Sequence, residues 1–101
     1  MKVAYISGAY RNKSVNGIYE NIQRARAVAL KYWGKGYAVI CPHLNTAFFD
    51  GTCHDETWIN GDLEFVRRSD TIVMMQGWEN SEGAHRELAE AQMHDKEIIF
   101  E

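Results

Sequence analysis

Basic charge, proline, cysteine and long apolar runs are all scarce in this chain of 101 residues, and each scarcity closes off a class of function. Eleven Lys and Arg stand against fourteen Asp and Glu, a net charge of -3. That balance argues against duplex nucleic acid or an anionic membrane as partner, since both reward a basic face. It leaves room for a small anionic ligand, because one arginine and a few backbone N–H groups suffice for a phosphate. The two cysteines, Cys41 and Cys53, are too few for a disulfide framework. Both are expected as free thiols in a reducing, cytoplasmic setting. A single proline and no Ser, Gly or Gln tract argue against disorder. No apolar run approaches the roughly 18–20 residues that span a bilayer. The opening MKVAYISG is too short in apolar residues for a signal peptide.

What is present fits one globular domain over residues 1–101, with 46% hydrophobic and 25% charged residues. A core of this size is modest, and association into a homo-oligomer, a dimer or higher, would compensate for it. Val3 to Ser7 form a short apolar run ended by Gly8, the pattern of a strand buried on both faces. Ile18, Ile22, Ala25, Ala29 and Trp33 share one face of a helix over 16–32, with Gly34 and Gly36 as stop signals. A second strand covers 38–41 and a long polar and aromatic loop covers 42–56. A helix over 57–68, a strand over 71–75, a loop at 77–80, a helix from the Ser81 cap to about His94, and a strand over 97–100 complete the chain.

Strands and helices that alternate in this way predict an α/β fold with parallel strands, right-handed crossovers and helices on both faces. Ligands of such sheets sit beyond the carboxyl ends of the strands. The segments placed there are 7–13, 41–55 and 76–83.

Glu87 stands out among the residues near those segments. It lies inside the last helix beside the small-residue stripe of Ala84 and Ala91. Positions three and four residues away are Gly83, Ala84, Glu90 and Ala91, so it has no basic partner on its own helix. A carboxylate on a half-buried face without a cation needs a distant partner or a chemical task. The alternative is an ordinary exposed glutamate at the edge of the stripe. Asp62, one turn after Trp58 and one before Val66, is a similar acid near an apolar face. Two carboxylates from different elements suit glycosidic chemistry, one to attack and one to orient or move a proton.

The helix start at Ser81, Glu82, Gly83 and Ala84 is uncluttered and offers free N–H groups to an anion; simple capping by Ser81 is the plainer reading of this signal alone, and the two roles can coexist. Gly8 allows close approach of a ligand to the backbone, and Arg11 follows it. Tyr5 needs a hydroxyl partner if it is buried. Phe48, Phe49, Trp58 and Trp78 are either base-stacking residues or core. The spacing of Cys41, His43, Cys53 and His54 matches no standard zinc site, and no metal is expected.

Y-I-S-G at 5–8, C-P-H at 41–43 and G-W-E-N-S-E-G-A-H-R-E at 77–87 resemble the nucleoside 2-deoxyribosyltransferase superfamily, including its small phage and bacterial members. The resemblance spans nearly the whole chain. It implies a flavodoxin-like three-layer fold with about four parallel strands in the order 2-1-3-4. It implies Glu87 as a nucleophile that attacks C1′ of the sugar and forms a glycosyl-enzyme ester, Tyr5 as the residue touching it, and Asp62 as the acid that orients the sugar and assists the base. Where the transferases carry an aspartate, six residues before the nucleophile, this chain has Ser81. That matches the branch that hydrolyses 2′-deoxynucleoside 5′-monophosphates, as does Arg11, although the second serine of that branch is replaced by Ala9. The implied substrate-binding set is Gly8, Arg11, His43, Ser81, Gly83 and Trp78, around a small nucleoside or nucleotide and with no cofactor. Two other readings are a non-catalytic nucleotide-binding module with the same pocket and a response-regulator-like domain. The second of these predicts an acidic cluster after the first strand, and residues 7–13 carry no acid.

Overall fold

Residues Val3–Ser7 form the first strand, β1, and its alternation divides the molecule into two cores. A computed structural model describes all residues, 1–101. The other strands are β2 (Ala38–Ile40), β3 (Thr71–Met74) and β4 (Glu97–Phe100), and the helices are α1 (Val15–Gly34), α2 (Pro42–Asn45), α3 (Asp55–Arg68) and α4 (Glu82–Met93). Ala4 and Ile6 pack with Ala25, Ala29 and Tyr32 of α1 and with Val73 on one face of the sheet. Tyr5 packs with Val66 of α3, Ile72 and Met74 of β3, and Ala84, Leu88 and Ala91 of α4 on the other. Helices on both faces explain why the strands read as apolar runs rather than as alternating patterns.

All strand pairs are parallel and the order is β2-β1-β3-β4, as expected. Ser7 lies in register with Met74, so the carboxyl ends of β1 and β3 stand side by side. The chain turns to opposite sides of β1 on leaving it and on returning, which opens a crevice above these two ends.

The structure adds to and corrects the expected elements. Residues 42–45 form the short helix α2 within the segment expected to be a loop. Its proline occupies the first helical turn, where a missing N–H costs nothing, and four residues are too few to show a helical period. Helix α3 begins at Asp55, two residues early, and Trp78–Asn80 make a turn of 3-10 helix. In α1 the buried face ends on Tyr32, whereas Trp33 is exposed. Tyr32 lies three residues after Ala29 and its ring packs edge-on against Tyr37, which turns Trp33 outward. No helix is long and apolar enough to cross a membrane.

Gly8 is required where it stands. A Cβ there would lie 2.7 Å from Met75 Sδ and 2.9 Å from Met75 Cβ. Gly8→Ala is therefore expected to lower the stability by about 1–3 kcal/mol through overpacking. A urea unfolding series with an unchanged midpoint would contradict that.

Candidate active site

Helix α4 starts on Ser81, whose hydroxyl accepts from the Ala84 N–H at 3.1 Å, so the serine does act as a cap. The buried stripe of Ala84, Leu88 and Ala91 docks the helix on the sheet. This seats Glu87 over the end of β1. The Tyr5 hydroxyl donates to Glu87 Oε2 at 2.6 Å. The Ser7 hydroxyl donates to Glu87 Oε1, also at 2.6 Å. Tyr5 and Ser7 are two residues apart and so project from the same face of β1. Neither has any exposed surface. Ser7 is the one contributor to this cluster absent from the expected set. Strand parity points to it, since the residue two after Tyr5 must share its face.

Burial raises the Glu87 carboxyl to about 7, against the pull of the hydrogen bonds from Ser7 and Tyr5, and the charge of Asp62 adds to the rise. Burial alone lifts Asp62 to about 6. The charge of Asp62 opposes ionisation of Glu87, so the two carboxyls titrate as a coupled pair. Burial, followed by the adjacent Glu87, pushes Tyr5 well above the ordinary phenol range, so it remains a proton donor.

Glu87 and Asp62 open onto one cavity of about 470 Å³ above the strand ends. Of the expected substrate-binding residues, Gly8, Arg11, His43, Ser81 and Gly83 line it. Tyr5 sits behind Glu87, in the core. Trp78 does not line the cavity. Its ring packs between His85 and Phe100, with centroids 4.9 and 5.9 Å away, so it is a structural residue of the outer sheet edge. Of the other aromatics, Phe49 and Trp58 form part of the wall with their rings edge to face at 5.8 Å, while Phe48 lies outside.

Two arginines stand at the mouth, both engaged by the first turn of α3. Arg11 pairs with Asp55 at 2.8 Å and Arg86 with Glu56 at 3.2 Å. The loop over 46–54 is tied to the loop after β1 through Tyr10, whose hydroxyl donates to Asp50 and accepts from the Phe48 N–H. Asn21 of α1 holds that same loop from below by donating to the Tyr10 carbonyl at 2.9 Å.

His43 is buried with Nε2 3.0 Å from the Ala9 carbonyl. A carbonyl only accepts, so Nε2 carries the hydrogen. Burial pushes the imidazole below its usual range despite that bond, which keeps the ring neutral and Nδ1 an acceptor. Neither His43 Nδ1 nor the Trp58 indole N–H has a protein partner. Cys41, His43, Cys53 and His54 do not come together, and no group of three or more His, Cys, Asp or Glu is placed to hold a metal ion.

The family described as "Domain of unknown function (DUF4406)" matches residues 1–100. Among solved structures, a 2-deoxyribosyltransferase from the psychrotolerant bacterium Bacillus psychrosaccharolyticus superposes with a TM-score of 0.67 at 16% identity, over 97% of this chain and 70% of that one. A 2-desoxiribosyltransferase from Leishmania mexicana does so with a TM-score of 0.62 at 20% identity, over 99% of this chain and 63% of that one. These likenesses show the shared fold. No curated protein matches the sequence.

The buried carboxyl has a consequence for stability. Glu87 has its proton more tightly bound in the fold than in the unfolded chain, with values of about 7 against 4.5. Its contribution is thus fully present below pH 4.5 and is lost as the pH rises through about 7. Glu87→Gln, which cannot ionise, should gain on the wild type across that window by roughly 2–3 kcal/mol. Paired urea titrations at pH 4.5 and pH 8 measure it, and an equal difference at both would refute the assignment.

Proposed function

We propose, on the premise that the chain belongs to the DUF4406 family and has the 2-deoxyribosyltransferase fold, that it cleaves or transfers at the N-glycosidic bond of a nucleoside or nucleoside 5′-monophosphate. The observation that carries this reading is Glu87 at the cavity wall, with each carboxylate oxygen held by a buried hydroxyl. A carboxylate fixed in this way is suited to in-line attack on a sugar C1′. The C1′–N bond then breaks and the base leaves with the electron pair. Asp62, the second carboxyl on the cavity, orients the sugar and delivers or collects the proton. Water or a second base resolves the ester and frees Glu87.

The rest of the cavity suits such a ligand. Arg11, with the N–H groups of the α4 start around Ser81 and Gly83, provides for a 5′-phosphate. Phe49 and Trp58 provide an aromatic wall for a base. His43 and Trp58 also line the cavity, and behind its surface the buried His43 Nδ1 and Trp58 N–H have no protein partner. The reaction uses no metal or organic cofactor. Self-association is part of the same reading, as is a cytoplasmic setting.

The test is base release from a panel of nucleosides and their 5′-monophosphates, followed by chromatography. Wild type should release base and Glu87→Ala should lose at least about a thousandfold in rate, the scale expected when a covalent nucleophile is removed. Tight binding without release in wild type would replace the enzyme by a nucleotide-binding module. The pH profile is a second check. The two carboxyls titrate as a pair, and the reactive form, Glu87 ionised with the single proton on Asp62, is one of the two one-proton forms and follows their shared pH dependence, which peaks between about 6 and about 7. Wild type should give a bell over that range. Asp62→Asn should lose the alkaline limb and keep an acid limb set by the ionisation of Glu87 alone, which burial holds above the usual carboxylate range.

A further inference from the structure

We infer that Ser7 is a positioning residue for Glu87, a role that rests on the glycosidic reading above: its hydroxyl fixes the plane of the carboxylate for attack and stabilises it again as the departing group when the ester is resolved. Ser7 is the last residue of the central strand and is fully buried. Its neighbours on this face of the sheet are apolar, among them Ile72 and Met74. A hydroxyl there costs stability unless it is partnered, and its side-chain partner is Glu87 Oε1. Tyr5 alone would hold one oxygen and leave the group free to pivot about that bond. The second donor, on the other oxygen, removes the pivot.

The two hydroxyls have unequal worth along the reaction. In the first step a lone pair of one Glu87 oxygen bonds to C1′ while the C1′–N bond breaks and its pair leaves on the base, which takes a proton from Asp62 or water. In the second step a water oxygen bonds to C1′ and gives up a proton to Asp62 or solvent. The C1′–O bond to Glu87 breaks and its electron pair returns to the carboxylate. The oxygen joined to the sugar is a poor acceptor while it is part of the ester and a strong one as it leaves. A donor already in place on it therefore gains strength in the transition state, which is the condition for catalysis. The other oxygen is the ester carbonyl and keeps its donor throughout. Both ends must be supplied for either outcome, and Ser7 supplies the end that Tyr5 does not reach. The titratable groups facing Glu87 are Tyr5 from β1 and Asp62 from α3.

The variants are Ser7→Ala, which removes the donor, and Ser7→Cys, which keeps a weak donor of similar shape. Three quantities are read: kcat against KM for base release, the glycosyl-enzyme seen by intact mass, and the Glu87 titration midpoint followed by carboxyl carbon-13 NMR without ligand. Ser7→Ala should lower kcat about ten- to a hundredfold, the worth of a hydrogen bond to a charged group. KM should change by less than about threefold, the share of glycosyl-enzyme should rise, and the midpoint should move up by about one unit. Ser7→Cys should fall between Ala and wild type in each. Wild-type kcat and an unmoved midpoint in Ser7→Ala overturn the role of Ser7 and leave the function standing. Absence of base release from the wild type itself overturns both. If Ser7→Ala fails to fold, Ser7→Cys decides: an intermediate kcat with a raised midpoint supports the role, and wild-type values refute it.

Discussion

A carboxylate gives up its hydration when its helix docks on a sheet, and the arrangement around Glu87 follows from that loss. Even a partly desolvated charge is expensive for a small domain to carry. Here two hydroxyls from one strand face offset part of it, and the group still sits near neutrality rather than in the usual carboxylate range. The pairing in turn dictates the identity of β1. Positions 5 and 7 must be a long and a short hydroxyl donor, while positions 4 and 6 are free to be apolar and fill the opposite core. One five-residue strand thereby packs the core on one side and holds the Glu87 carboxylate on the other.

The mouth of the cavity follows a different logic. Arg11 and Arg86 are balanced by Asp55 and Glu56, which also sit favourably at the positive end of α3. A net acidic protein can therefore keep cationic groups beside the cavity without displaying a basic face. Each of these pairs is partly exposed and individually weak.

Much of this was legible in the sequence, because the relevant signals are short-range. The four strands and the α4 cap at Ser81 are read from apolar runs and turn chemistry. Glu87 stands out because its own helix offers it no cation, and its real partners are hydroxyls some eighty residues away. The misreadings have equally local reasons. Helix α2 has no period to detect. Tyr32 and Trp33 are adjacent aromatics, and only the position of Tyr37 decides which one turns inward. Trp78 is one of four aromatics read as either base-stacking or core, and the edge strand captures its ring. Ser7 reads as a strand terminus until the docking of α4 shows what lies opposite it.

The strand order carries a kinetic consequence. β1 precedes the other three strands in the chain, yet it lies inside the sheet, between β2 and a strand that begins only at Thr71. Its second edge and one of its faces stay open until most of the chain exists. The contact from Ser7 to Glu87 closes a loop of 80 residues, which is slow to form compared with helix or hairpin contacts. Assembly of the carboxylate site is thus coupled to the last steps of folding. A chain interrupted before α4 leaves an apolar face of β3 without its helix and the edge that pairs with β4 open, and the geometry around Glu87 comes into being together with the sheet.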